Sequence, residues 1–142
     1  MADDDLDDQY LVRRAVEDIS LNYKLTTVNN GSQLIDLLLS KGISENVAPV
    51  SPDCILLDLN MPLLDGIQTL TMLKANATVS HIPVFVLSTS RSESDRRRSL
   101  TCGAADFYVK PTQYRELKRI IADICEKTAL QKSRTELHSK TH

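Results

Sequence analysis

Asp58, Ser88, Thr89 and Lys110 each stand at or just past the end of a short run rich in apolar or aromatic residues, and the chain opens on MADDDLDD. In an open parallel sheet, ligands bind in the crevice beyond the carboxyl ends of the strands, so these side chains are expected to meet there. The opening aspartates join them if they follow a first strand. Carboxylates within about 4 Å of one another repel by roughly 4 kcal/mol per pair at an effective dielectric near 20, and such a cluster invites a cation. Oxygen ligands without a His or Cys cluster suit Mg²⁺ or Mn²⁺ better than zinc. A divalent ion beside an aspartate, with a hydroxyl and a lysine nearby, is a stabilising frame for a phosphoryl group in transfer. The chemistry implied is phosphoryl transfer onto, or off, a carboxylate.

The elements that must position these groups alternate between helical and strand-like patterns, which indicates a parallel sheet covered by helices. Leu11, Val12, Ala15, Val16 and Ile19 recur at helical spacing, with Asp5 or Asp7 available as N-cap. Residues 24–28 read as a short strand. Asn29, Asn30 and Gly31 follow as a turn, and Ser32 is placed to cap a second helix through Leu39. The stretch 42–52 has two prolines and no periodicity, and is expected to be a surface loop. Cys54 to Leu57 and Val84 to Leu87 are continuous apolar runs, the pattern of strands buried on both faces. Helices are expected from Ile67 to about Ala75 and from Arg91 to Leu100, closed by Gly103, with a strand at 107–109. The last helix carries Tyr114, Leu117, Ile120, Ile121, Ile124 and Cys125 on one stripe. The domain is therefore bounded at 1–128, and the polar tail 129–142 is expected to be disordered.

The chain has 142 residues, 42% hydrophobic and 25% charged, which accommodates one globular domain. A formal net charge of −2 gives no general attraction to nucleic acid or to an anionic membrane, and no direct DNA binding is expected. No apolar run reaches membrane-spanning length, and the acidic start is unlike a signal peptide. The odd count of 3 cysteines argues against a disulfide framework, and a reducing, cytoplasmic location is expected.

ADDD at 2–5, LLDLNMPLLDG at 56–66, Ser88 after PVFVL, and CGAADFYVKP at 102–111 resemble, in order and spacing, the receiver domains of two-component response regulators. Within that family the chain resembles the single-domain receivers that partner phytochrome-like kinases. The resemblance implies a flavodoxin-like (βα)5 three-layer sandwich with parallel strand order 2-1-3-4-5. It implies that Asp58 accepts a phosphoryl group from the phosphohistidine of a sensor histidine kinase or of a histidine phosphotransfer protein. Asp3, Asp4, Asp58 and the backbone carbonyl of Asn60 would hold Mg²⁺ or Mn²⁺, and Ser88 and Lys110 would each engage a phosphoryl oxygen. Ser88 and Phe107 would form the switch, altering a surface made by the fourth helix, the fifth strand and the fifth helix that meets a downstream protein target. In this family the bond corresponding to Lys110–Pro111 is usually cis.

Three features depart from that pattern. Only Met1 and Ala2 precede Asp3, fewer than the residues of an ordinary strand, so either strand one is truncated or this chain omits residues upstream of Met1. The separation between Asp4 and Asp58 exceeds the family's common one, and the excess fits the loop 42–52. Phe107 stands where Tyr is more familiar.

Plainer readings exist for each motif. Asp3, Asp5 and Asp7 alternate like calcium ligands, but the Gly and closing Glu of an EF-hand are missing. Asp65 reads as a turn former ahead of Gly66, and Thr89 competes with Ser88, which the spacing favours. Arg96, Arg97 and Arg98 read as a solvated helix face, and His81, His138 and His142 are isolated. Core packing is expected for Cys54 and Cys125. A haloacid-dehalogenase-like phosphatase also uses a strand-end aspartate and Mg²⁺, but it needs a second Asp where this chain has Asn60. A phosphorylation-independent pseudo-receiver is the other alternative.

Overall fold

The computed structural model describes residues 1–19, 22–39 and 51–140. The elements run α1 (Leu6–Ile19), α2 (Gly31–Leu39), β1 (Ile55–Leu57), α3 (Gly66–Ala75), β2 (Val84–Ser88), α4 (Glu93–Thr101), β3 (Asp106–Val109) and α5 (Tyr114–Lys140). β1, β2 and β3 form a parallel sheet in that order, with Leu56 opposite Phe85 and Ser88 opposite Val109. Ala2 extends the sheet through parallel single-residue bridges to Leu57 on one side and Val28 on the other. The lateral order Val28, Ala2, β1, β2, β3 follows the expected 2-1-3-4-5 arrangement.

Where five strands were expected, the described residues form three, and the first two are reduced to bridges. The residues 24–28 contribute only Val28, whose N–H donates to Met1 O at 2.9 Å while its carbonyl accepts from Asp3 N–H at 3.1 Å. Thr26 O also accepts from the Met1 ammonium at 2.8 Å, but no other residue of 24–28 forms a bridge, so the β-branched stretch does not extend as a ladder. Ala2 itself is fully buried.

Side chains alternate across the sheet and fill two cores. Ile55, Leu57, Val84 and Val86 pack with Leu34, Leu38, Leu70, Leu73 and Phe107 under α2 and α3. Leu56, Phe85 and Leu87 pack with Val12, Ala15, Val16, Leu117, Ile121 and Ile124 under α1 and α5. Both faces of the central strands are thus covered, as their uninterrupted apolar runs require.

The helix caps differ in one place from expectation. Asp5 caps α1, its Oδ1 accepting from Asp7 N–H at 2.9 Å and Asp8 N–H at 3.2 Å. Asp65 caps α3 in a reciprocal capping box with Gln68. At α2 the cap is Asn30 rather than Ser32: Asn30 Oδ1 accepts from Gln33 N–H, and Gln33 Oε1 accepts from Asn29 N–H, both at 2.8 Å. Gln33 thus ties the turn before the cap to the first helical turn, and Ser32 makes no such contact with the residue at its own third position, Ile35.

The region 129–140 is helix, not a disordered tail. No Gly or Pro follows Pro111, and Ala, Leu, Gln, Lys and Glu are frequent in the last turns, so a helix anchored by its packed stripe propagates without a stop. Lys132 also reaches Asp53 Oδ1 at 3.2 Å. The Lys110–Pro111 bond is trans, contrary to the resemblance, and the described residues contain no cis peptide. Most of the expected loop 42–52 lies outside the described residues.

Candidate functional site

The ends of the strands bring the predicted residues together. Asp3 follows the Ala2 bridge, Asp58 follows β1, Ser88 ends β2 and Lys110 follows β3. Backbone hydrogen bonds fix their relative heights: Asp58 N–H donates to Ala2 O at 3.0 Å, and Lys110 N–H donates to Ser88 O at 2.8 Å. Gly66 lets the start of α3 lie against this edge, since a Cβ there would stand 2.3 Å from the Asp58 carbonyl oxygen.

Carboxylate oxygens of Asp3, Asp4 and Asp58 lie within 4.8 Å of one another. Asp3 and Asp58 are buried and Asp4 is exposed, so the cluster opens on one side. Asp58 Oδ1 and Asp3 Oδ2 are buried without a hydrogen-bond donor, Asp3 Oδ2 being ion-paired with the Lys110 ammonium. Orphaned buried acceptors carry a desolvation penalty that a bound hard cation relieves. The donor set therefore fits a divalent ion of the Mg²⁺ type.

Lys110 Nζ lies 2.7 Å from Asp3 Oδ2 and 3.6 Å from Asp58 Oδ2. Burial pushes the Asp58 carboxyl up to about 6 and the negative charge of Asp3 adds to the rise, while Lys110 opposes it. Burial likewise raises Asp3. Burial works against the Lys110 charge, but its hydrogen bonds to Asp3 and Asp8 outweigh that and raise its pKa.

Ser88 is fully buried and Thr89 exposed, and Ser88 Oγ accepts from Ser90 N–H at 3.2 Å. Phe107 is buried in the core beneath α2 and α3, beside its register partner Val86. Asn60 is exposed at the mouth of the crevice, in a hollow that Asp65, Asp95 and Arg98 also line. Arg96, Arg97 and Arg98 are exposed on α4, and Cys54 and Cys125 are partly buried against the α1–α5 core.

Two contacting residues went unpredicted. Asp8 Oδ2 accepts from Lys110 Nζ at 2.7 Å. The Asp5 cap was the signal for it: three residues after an N-cap, a side chain stands in the first turn and points back toward the cap. Gln9 is buried and donates through Nε2 to Asp3 O at 2.6 Å and to Asn29 Oδ1 at 2.9 Å, tying the aspartate backbone to α1.

A parallel sheet carrying strand-end aspartates, a hydroxyl and a lysine defines a signalling receiver fold. Residues 1–122 match the response regulator receiver domain family, and the chain belongs to it. It is 32% identical over 117 residues to the probable methanogenesis regulatory protein FilR2 of Methanothrix harundinacea, spanning 82% of this chain and 73% of that protein. It is 30% identical to response regulator Rcp1 of Synechocystis over 87% of this chain and 83% of that one. With the transcriptional regulatory protein PrrA of Mycobacterium leprae it shares 38% identity over 98 residues, 66% of this chain but only 41% of PrrA.

Among solved structures, the phosphorylated cyanobacterial phytochrome response regulator RcpA superposes with a TM-score of 0.77 at 32% identity, covering 87% of this chain and 86% of that one. The Mn(2+)-bound form of Rcp1 superposes with a TM-score of 0.76 at 29% identity, covering 87% of each. Receiver domains of response regulators serve as signalling phosphoacceptors rather than as enzymes in the usual sense, and one such neighbour binds Mn²⁺. Among the described residues no helix is long and apolar enough to cross a membrane.

Proposed function

We propose that the domain accepts a phosphoryl group on Asp58 from the phosphohistidine of a sensor histidine kinase or a histidine phosphotransfer protein, with Mg²⁺ or Mn²⁺ at the acidic cluster. The observation that carries this reading is the buried Asp58 carboxylate, with one oxygen unpartnered, set beside Asp3, Asp4 and Lys110. The phosphorylated state of RcpA and the Mn(2+)-bound state of Rcp1 support it by similarity.

In the step proposed, an Asp58 oxygen attacks phosphorus as the phosphorus–nitrogen bond to the donor imidazole breaks. The electron pair of that bond stays on the nitrogen, and the product is an acyl phosphate on Asp58. Asp3, Asp4, Asp58 and the Asn60 carbonyl are the residues that would hold the metal. The ion supplies positive charge to offset the charge on the phosphoryl oxygens. Lys110 supplies an ammonium to one phosphoryl oxygen and Ser88 a hydroxyl donor to another. Turning Ser88 Oγ toward the phosphoryl group releases its contact with Ser90 N–H, and Ser90 Oγ is in turn bonded to Asp95 of α4 at 2.6 Å. That chain is the proposed route from the site to the surface of α4, β3 and α5, beside Phe107, where a downstream protein would bind.

Incubation with acetyl phosphate and Mg²⁺, read by intact mass, tests the reading. One added phosphoryl group is expected on the wild type and none on Asp58→Ala. No uptake by the wild type, or equal uptake by both, overturns it in favour of a phosphorylation-independent interaction module.

A further inference from the structure

The lysine of this crevice is shared between two anchors before any phosphoryl group arrives. Lys110 Nζ meets Asp3 Oδ2 and Asp8 Oδ2 at the same 2.7 Å, while Asp58 Oδ2 stands farther away at 3.6 Å. Asp8 lies on α1 at the rim, with a side chain 29% exposed, and is not one of the three clustered carboxylates. The ammonium donates one proton to Asp8 Oδ2 and is ion-paired with Asp3 Oδ2 at the same distance, so both of its near partners are carboxylates other than Asp58.

The pull of Asp8 has a consequence at Asp58. A lysine released from it keeps its ion pair with Asp3 and is free to turn the proton it gave Asp8 toward Asp58 Oδ2, the next carboxylate at 3.6 Å, closing to a charge-assisted hydrogen bond of typically about 2.8 Å. An Asp58 oxygen holding that proton is a weaker nucleophile, because its lone pair is already engaged. Held on α1, the ammonium leaves Asp58 open yet remains within reach of an incoming phosphoryl oxygen.

We propose that Asp8 is a positioning residue for phosphoryl acceptance, holding the Lys110 ammonium off Asp58 until a phosphoryl oxygen claims it. The proposal rests on the reading of Asp58 as acceptor and on the bond changes given above, with an acyl phosphate as donor and its carboxylate as leaving group. Asp8 acts through Lys110 and touches no reacting atom.

The test is the initial rate of phosphoryl uptake from acetyl phosphate at saturating Mg²⁺, read by intact mass. Asp8→Asn is expected to slow uptake about five-fold or more, and Asp8→Glu to restore it to within about two-fold. In a Lys110→Gln background, Asp8→Asn is expected to change the remaining rate by less than about two-fold, because the group it acts through is gone. Equal rates in wild type and Asp8→Asn overturn the proposal, as does equal slowing in both lysine backgrounds. Melting curves of the metal-free proteins check folding, and Asp8→Ser replaces Asp8→Asn, with the same expectations, if the amide variant does not fold. A wild type that takes up no phosphoryl group overturns the acceptor reading together with this proposal; a labelled wild type with an unaffected Asp8→Asn overturns this proposal alone.

Discussion

Two lysines in this molecule sit among carboxylates, and they do opposite things. Lys127 on α5 contacts Asp106 Oδ2 at 2.5 Å, Asp123 Oδ2 at 3.0 Å and the Tyr108 hydroxyl at 2.8 Å, on a half-open surface. The Tyr108 hydroxyl donates to Asp123, and Asp106 Oδ1 accepts from Phe107 N–H, so the network satisfies its own members. Lys110 sits among Asp3, Asp8 and Asp58 with exposed Asp4 adjoining, and buried carboxylate oxygens are left over. Lys127 faces two carboxylates, whereas Lys110 faces three with a fourth beside them. What separates the two regions is burial and surplus: one cluster is complete, and the other is short of positive charge where water cannot reach.

The carboxyl groups register that difference in opposite directions. At Asp58 burial wins and raises the pKa to about 6. At Asp106 burial also opposes ionisation, but the hydrogen bond and charge of Lys127 outweigh it and lower the pKa. Tyr108 is pushed up to about 12, first by burial and then by its bond to Asp123.

The largest effect is expected from removing the lysine of the incomplete cluster. Lys110→Met leaves Asp3 and Asp58 buried without a counter-charge, a change that typically costs about 3 kcal/mol. Urea denaturation at neutral pH in chelator would measure the loss, and added Mg²⁺ should recover part of it, since an ion bound only by the folded state stabilises it. A loss no larger than that of an exposed lysine would erase the contrast.

The next expected effect has the opposite sign. Asp58→Asn removes a buried charge that the fold disfavours; the displacement from 3.8 to about 6 corresponds to about 3 kcal/mol at about 1.4 kcal/mol per pH unit, and solvent at the open side of the cluster reduces this to an expected stabilisation of about 2 kcal/mol for the metal-free protein at pH 8. An acid whose folded pKa is about 6 against an ordinary 3.8 binds its proton more tightly when folded. Its contribution to stability therefore falls as pH rises between those values and stays low above them. The gain from Asp58→Asn should accordingly shrink toward pH 4, and Mg²⁺ should raise the melting temperature of the wild type more at pH 8 than at pH 5. A gain independent of pH would show that the Asp58 charge is not what the fold resists.

Much of the incomplete cluster was legible in the residues. β1 and β2 are uninterrupted apolar runs, so their ends, and hence Asp58 and Ser88, were fixed by a pattern that a surface strand does not produce. What was not legible depends on partners remote in sequence or on competition between local signals. Val28 pairs only with what residues 1–3 offer, so β-branching at 24–28 overstated the strand. The polar face of 129–140 removed the amphipathic signal without removing helix propensity, and propensity won. Asp8 is hidden among acidic neighbours that serve as ligands and cap, and its partner lies 102 residues away. The trans Lys110–Pro111 bond departs from what the family resemblance implied, and no residue pattern spoke to it.

The smallest effect is expected at the complete cluster, and it sharpens the comparison most. Lys127 is 40% exposed, so solvent screens its ion pairs, and Lys127→Met should cost only about 0.5 kcal/mol. Three further properties should set it apart from Lys110→Met. Its cost should decline with added salt, because exposed pairs are screened and buried ones much less. It should be indifferent to Mg²⁺, because Asp106 and Asp123 have no share in the acidic crevice. It should also vanish in acid: a carboxyl with a depressed pKa contributes stability above its ordinary value of 3.8 and loses it as pH falls through the lowered one. Denaturation of Lys127→Met and wild type at two salt concentrations, with and without Mg²⁺, resolves all but the acid limb. A Mg²⁺-dependent cost at Lys127 would mean that the two clusters are coupled across α5 and β3, and that the division between a structural ion pair and a reactive one fails in this molecule.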